Sequence, residues 1–526
     1  MAITKVTGAL LGNLAVGTDN VALGNGTLSA VTTGQRNVAV GNDAGLALTE
    51  AGEATLIGRQ AGKALTTGSS NTFIGGRAGL ATTTGAENVA VGQASLMTNT
   101  TGSSNTALGR AALLYSTTAS NNTGVGYQAL LFNTTGTSNV AVGYAALNAN
   151  TTADHNTAVG KGSLIANTTG TQNTALGSSA GRSCTTGSYN VSIGYAALDA
   201  STTGAQNVGI GRYAMILNTT GYSNVGIGNN AMYANTTGYG NTAIGNGSLD
   251  ANTTASLNTA LGYLSLTRNT TGTYNTALGS NSLAYNTTAN ANTAVGYNAG
   301  TVCTGSENTF VGYEAGGDVT TGADNTFIGF HAAHYQNAVT TGADNTVVGA
   351  YARTSSASVS NEGVYGRYAL GQGAATATIG ISGNGVHIAL NGSTTSWSAH
   401  SDERLKENIQ DSTAGLSFIN DLRPITYNWK SKKDISEDFV NYYDADSDEP
   451  VQGQVKQTNH GFIAQEVKTA IDAHPEIKEG HSIWRESPDG VQNVADGALI
   501  PMLVKAIQEL KTKNDALEAR ITTLEG

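Results

Sequence analysis

Asn139-Val140-Ala141-Val142-Gly143-Tyr144-Ala145-Ala146-Leu147-Asn148-Ala149-Asn150-Thr151-Thr152-Ala153 is one copy of a unit that fills most of this chain. Val140 and Val142 alternate with small residues, as in a short strand, and Gly143 ends that strand in a turn. Ala146-Leu147 supplies a second apolar contact. A Thr-Thr pair followed by Gly or Ala, as at Thr134-Thr135-Gly136 and Thr219-Thr220-Gly221, reads as another short strand and a tight corner. Aligned on Asn-[Thr/Val]-x-[Val/Leu/Ile]-Gly, copies begin at Asn20, Asn37, an imperfect Ala54, Asn71, Asn88 and onward to Asn292, each 17 residues apart. Looser copies follow at Asn308, Asn325 and Asn345, and a partial one stands at Asn13. A short fixed period means stacked units, none able to bury its apolar face alone. The unit is too short for a helical hairpin and suits one coil of a β-solenoid; about 20 coils at strand spacing give a rod on the order of 95 Å.

The leading asparagine of each coil is expected to stack as a ladder, each side-chain amide bonding the next at a buried corner. That duty also covers the asparagines of the Asn-Thr-Thr sequons, such as Asn99 and Asn133, without glycans. Cys184 and Cys303 fall in the slot usually held by Asn or Ser before Thr-Thr. Seven coils, roughly 34 Å, separate them, so they read as buried small residues rather than a disulfide. No Cys/His metal-ligand set and no cofactor is expected.

The composition agrees with organisation by repetition. Of 526 residues 68 are glycine and 6% aromatic, too little for one large core. Net charge is −11, and it is unevenly spread: residues 1–350 carry 10 Lys/Arg and 13 Asp/Glu, residues 401–526 carry 14 and 23. Neither part has the basic stripe that phosphate binding needs, so no nucleic-acid partner is expected. The start, Met1 to Gly12, falls short of a signal peptide, and no stretch reaches the length of a membrane span. A soluble chain made in a cytoplasm is the expectation.

Little apolar area per coil makes the core thin for one chain, and association of three would remedy that. The coils resemble, loosely, the β-roll heads of trimeric autotransporter adhesins, although the repeat length differs and no export signal or C-terminal membrane barrel is read here. The residue after the motif glycine is Tyr127, Tyr144, Tyr195, Tyr263, Tyr297, Tyr313 or Phe330 in some coils and polar in others, which implies exposure. Exposed rings could stack on sugars or simply decorate a solvated face. Asp154, Asp199 and Asp250 form no evident pair for glycoside hydrolysis. From 351 to 400 the regular beat fails, and Ala374–Ile381 and Val386–Leu390 read as strands of a connecting neck.

Residues 401–526 read as an ordinary mixed domain opened by Ser401-Asp402-Glu403-Arg404-Leu405-Lys406-Glu407-Asn408-Ile409. Ser401 and Asp402 suit a helix cap, the plainer reading of the spacing alone; Ser401 and Lys406 also suit a nucleophile and its base. That stretch, with Leu422-Arg423-Pro424-Ile425-Thr426-Tyr427-Asn428-Trp429-Lys430 and Gly461-Phe462-Ile463-Ala464-Gln465-Glu466-Val467, resembles the C-terminal intramolecular chaperone domain of phage tail spikes and fibres, the endosialidase tail spikes among them. The resemblance implies a homotrimer, assistance to the folding of the fibre ahead of it, and self-cleavage of His400–Ser401 through a Ser401–Lys406 dyad. Lys406 can take a proton only where burial or a nearby cation such as Arg404 favours its neutral form. His460 is a further accessory polar group, with a structural role as the plainer reading. Trp397 reads as an anchor for the strand that carries the bond. The acidic loop around Asp444, Asp446 and Asp448 lacks the spacing of a calcium loop and reads as solvated.

Ile500, Ile507, Asn514 and Ile521 occupy one heptad position and Leu503, Leu510, Leu517 and Leu524 the other, a coiled coil over about 499–525 whose Asn514 would fix register. The reading is therefore mainly β: a trimeric β-solenoid or β-roll of 17-residue repeats over 1–350, a β neck over 351–400, and a small α+β chaperone domain over 401–526 ending in the coiled coil. It implies a virion tail fibre assembled in a host cytoplasm, with other tail proteins and a host-surface polysaccharide or protein receptor as partners. A bacterial trimeric surface adhesin and a glycan- or ice-binding solenoid are the alternatives.

Overall fold

Three-residue strands hold together only if each finds a neighbour on both sides, and a constant loop length supplies one at every turn. Val140 lies opposite Thr157, Ala141 opposite Ala158 and Val142 opposite Val159, in parallel. The computed structural model describes residues 19–334, 338–382, 384–390, 398–399, 403, 406–437, 442–452, 457–477, 482–487 and 490–526. In it, twenty such strands from Val21–Leu23 to Thr346–Val348 stack in one parallel ladder, a β-solenoid of 17-residue repeats. Where the sequence spacing slips, the strands keep step: Thr293 pairs with Thr309 and Thr326 with Thr346, the difference being taken up in the turns.

The middle residue of each strand, small in most coils, points inward. Ala141 is fully buried and Val140 and Val142 are only partly so, the reverse of a core built on the strand's Val, Leu and Ile. Ala146 and Leu147 close the core from the other side. This interior has a fixed volume: where the middle residue is Phe73 or Phe310, the slot of Leu147 holds Gly79 or Gly316. The outward row of larger apolar residues runs along the rod, with Leu108, Leu176, Leu261 and Leu278 exposed.

Asparagines finish the buried corners. Asn139 Nδ2 donates to Ala153 O (2.8 Å) and to Asn122 Oδ1 (3.2 Å), while Asn139 Oδ1 accepts from the backbone N–H of Asn156 (2.9 Å) and from its Nδ2 (3.3 Å). A second ladder runs through the sequon asparagines: Asn150 Nδ2 donates to Asn133 Oδ1 (2.7 Å) and Asn167 Nδ2 to Asn150 Oδ1 (2.9 Å). Cys184 and Cys303 stand in this second column, free and buried, each thiol 3.4 Å from a glycine carbonyl. Burial pushes them up to about 11 and about 12. The Thr-Thr pair is a bend, not a second strand. The amides of Thr134, Thr135 and Gly136 and the Thr134 hydroxyl all converge on Thr151 O, which curls the chain around one acceptor.

The turns are costly. Ser138, Ala145 and Leu147 take left-handed φ values of 58°, 52° and 50°, and the pattern recurs from coil to coil. Each such residue costs roughly 1–2 kcal/mol. Gly143, at φ 135°, has no alternative: a Cβ there would stand 2.6 Å from Gly160 O. A coil is therefore strained by itself and is held by its neighbours.

Past Tyr351 the ladder continues through Glu362–Tyr365 and Thr376–Ile381, both parallel, before Asn384–Ala389 turns back antiparallel. Glu362 takes the asparagine slot of its coil. Its buried carboxylate accepts from the N–H groups of Ser355 (2.9 Å) and Gly373 (2.6 Å).

The chain divides into two units, Met1–His400 and Ser401–Gly526. The second contains helix α1 (Leu416–Asp421), strand Ile425–Tyr427 antiparallel to Asn459–Gly461, helix α2 (Ala464–Ala473), the hairpin Trp484–Glu486 with Gln492–Val494, and helix α3 (Ile500–Glu525). Phe418, Leu422, Val467, Ile471, Ile483 and Leu499 form its core.

Candidate functional site

The three sequence motifs of the C-terminal unit meet through backbone and charge. Thr426 pairs with His460 and Tyr427 with Asn459, which joins the Leu422–Lys430 motif to the chain entering the Gly461–Val467 motif. Arg423, from the first, forks onto the Glu466 carboxylate, from the second, with Nε 2.9 Å from Oε2. That carboxylate lies below its ordinary range and the guanidinium above, each through its hydrogen bonds to the other. Both groups are exposed, so the pair fixes geometry more than it adds stability.

His474 ties the end of α2 to α1. Its Nε2 lies 2.8 Å from Asp421 Oδ2 and its Nδ1 2.9 Å from Glu476 Oε1, and the ring sits edge-on to Phe418. Only an imidazolium can donate to both carboxylates, and these two hydrogen bonds, that to Asp421 first, raise its pKa above the usual histidine value.

His400, Ser401 and Arg404 lie outside the described residues, as do Trp397 and Asp402. Lys406 is exposed, its backbone N–H donating to Glu403 O at 3.0 Å. Glu403 lies in a 3-10 turn and residues 406–414 contain no helix; the capping role read for Ser401 and Asp402 falls on residues outside those described. His460 is exposed on its strand, at the mouth of a cleft of about 390 Å³ walled by Leu422, Phe462, Leu499 and Leu503. In the acidic loop, Asp448 and Glu449 pair with Lys433 and Lys432.

Helix α3 has two apolar faces. Leu499, Met502, Ala506 and the stem of Glu509 turn toward the unit, and the Glu509 carboxylate accepts the Leu416 N–H at 2.9 Å, at the start of α1. One residue further round, Ile500, Leu503, Ile507 and Leu510 face outward, and Leu517, Ile521 and Leu524 continue the row; Ile507 is 65% and Leu524 84% exposed. Asn514 lies in the same row, donating to Glu518 Oε1 at 3.1 Å.

On the rod, the ring column after the motif glycine is exposed as its variability implied. The rings stack on one another: Tyr127 on Tyr144 at 5.4 Å, Tyr297 on Tyr313 at 5.3 Å and Tyr313 on Phe330 at 5.1 Å. In those stacks the shared faces are covered, whereas Tyr195 and Tyr263, both exposed, have no ring stacked on them among the described residues. Asp199 is held by Arg182, and Asp154 accepts from Thr137. Sequence reasoning missed one cluster, Glu314 with His331 and His334, whose residues are separated along the chain and adjacent only once the coils are in register. No helix of the described residues is long and apolar enough to cross a membrane.

Residues 401–474 match the peptidase family described as the chaperone of endosialidase. No curated protein matches the chain. The family is of a self-cleaving, tail-associated kind and suggests association into trimers. The matched segment begins at Ser401, the first residue of the C-terminal unit, and ends at His474, the histidine that joins α1 and α2. With that segment behind a solenoid of more than twenty turns, the chain has the build of a tail-spike or endosialidase-type protein.

Proposed function

We propose that this chain forms the trimeric rod of a phage tail spike or fibre, directed to host attachment, and that its C-terminal unit gathers three chains, lets their solenoids wind in step, and then releases itself. The observation that carries the reading is the outward seam of α3. A helix that has already seated one apolar face still presents a row of Ile and Leu from Ile500 to Leu524, and such a row is stable in water only against other helices. The apolar row along the outside of the rod's strands supports the same association. Partner chains would cover both.

Release proceeds at His400–Ser401. The Ser401 hydroxyl attacks the His400 carbonyl carbon while Lys406 Nζ accepts its proton; the peptide C–N bond breaks as Lys406 returns that proton to the departing Ser401 amine. This leaves an ester between His400 and the Ser401 oxygen. Water then hydrolyses the ester, giving a His400 carboxylate and a Ser401 with free amine and hydroxyl. In a single chain Lys406 faces solvent; packing of three units would bury it and favour its neutral, basic form, so that cleavage follows assembly.

The test is the full chain, freshly expressed and run on a denaturing gel beside a native mass measurement. Fragments of 1–400 and 401–526 and a threefold native mass are expected, with Ser401→Ala and Lys406→Ala both remaining full-length. Cleavage that persists in both variants, or a monomeric uncut chain, overturns the proposal.

A further inference from the structure

The rod's repeat is least regular where its histidines gather. Between Asn308, Asn325 and Asn345 the spacing goes from 17 to 20, and the sixth residue after each coil's asparagine changes from the usual small or amide side chain to Glu314, then His331, then Tyr351. Register stacks these directly. Asn298 Nδ2, from the coil before, donates to Glu314 Oε1 at 3.3 Å, leaving Oε2 turned to the next coil. There His331 Nδ1 and His334 Nε2 converge on that single oxygen, each at 3.2 Å. His334 Nδ1 lies 3.0 Å from Asp318 Oδ2, and its ring stacks on His331 at 5.2 Å. Tyr351 covers the other face of His331 at 5.4 Å. Gly317 makes the room: a Cβ there would stand 2.9 Å from His334 Nδ1.

Hydrogen bonding does not account for this arrangement. Nδ1 of His331 is enclosed and has no aligned hydrogen-bond partner. Two ring nitrogens and a carboxylate oxygen, all within 4.8 Å of one another, are a ligand set. Around a tetrahedral cation with bonds of about 2.0–2.1 Å, neighbouring ligand atoms are about 3.3 Å apart, close to the two 3.2 Å separations seen.

We propose that Glu314, His331 and His334 bind a divalent first-row cation of the zinc type, with Asp318 orienting His334 from the outer shell and water completing the tetrahedron. The ion would staple two successive coils where the repeat loses its regular length. Glu314 reaches it from one coil and both histidines from the next.

The experiment uses the full chain without a histidine tag, stripped with chelator and dialysed, then titrated with zinc by calorimetry and with cobalt by visible absorption. One equivalent per chain and the intense d–d bands of tetrahedral cobalt are expected. His331→Ala, His334→Ala and the conservative Glu314→Gln should each abolish the cobalt bands while far-UV circular dichroism stays that of the parent. Asp318→Asn should weaken zinc binding about 10-fold or more. His155→Ala, elsewhere on the rod, should leave both readouts unchanged. Absence of stoichiometric uptake, cobalt bands retained in Glu314→Gln and His334→Ala, or bands lost in His155→Ala overturns the assignment.

Discussion

The rod and the C-terminal unit bury their interiors by opposite means. In the C-terminal unit Phe418, Val467, Ile471, Ile483 and Leu499 come from different helices and the turns beside them and close on one another, as in any small domain. In the rod an inward residue such as Ala141 or Leu147 meets its counterparts one coil away, and the polar corners are satisfied by Asn122 below and Asn156 above. The first can form alone; the second needs a neighbour already in place, because each coil carries left-handed residues whose strain only stacking offsets. A chain made mostly of the second kind gains from a segment of the first kind that starts the process.

The most direct way to break that comparison is Phe418→Ala, which empties the centre of the C-terminal core and should cost about 3–5 kcal/mol there. On the proposal that the rod depends on that unit to start, the full-length variant should yield little protease-resistant rod although no rod residue has changed. Normal yield of resistant rod from the variant would sink the idea. Next in size, Asn139→Ala removes four hydrogen bonds from buried partners, leaving the Asn156 N–H unpaired and Ala153 O with Asn150 Nδ2 alone. A loss of about 2–4 kcal/mol is expected, read as new proteolytic cuts confined to the neighbouring coils and an unaltered C-terminal unit. Smallest is the pH effect at His474. Its raised pKa makes its contribution fully present below the ordinary histidine value of about 6.5, and lost as pH rises through the higher folded value. In the Ser401→Ala chain, tryptophan fluorescence melts should show the C-terminal unit more stable at mild acid than at mild alkali, by less than about 1 kcal/mol. His474→Gln should flatten that slope; an unchanged slope assigns it to other groups.

The sequence carried the solenoid plainly, because loop length constant to the residue leaves few other folds. It did not carry which face of the strand turns inward. Val-Ala-Val alternates equally well with either parity, and the narrow coil decides for alanine, with room for Phe73 only where Gly79 yields it. Nor does a Thr-Thr pair announce that its amides will share one carbonyl, since β-propensity favours a strand until four donors compete for Thr151 O. The C-terminal motifs were legible as motifs, while the Arg423–Glu466 fork and the His474 bridge between them depend on partners far off in the chain. Glu314, His331 and His334 could have been found by reading the sixth residue of successive coils as a column, since that column is where side chains of neighbouring coils touch.

Each coil hands its hydrogen bonds only to the turn before it and the turn after it. Excising residues 139–155 would present Asn156 to Asn122 in place of Asn139, with the asparagine ladder and the strand pairing matched as before. A gene of this design can therefore gain or shed whole rungs by recombination between near-identical segments, setting the length of the solenoid in increments of about 4.8 Å without rewriting the remaining coils.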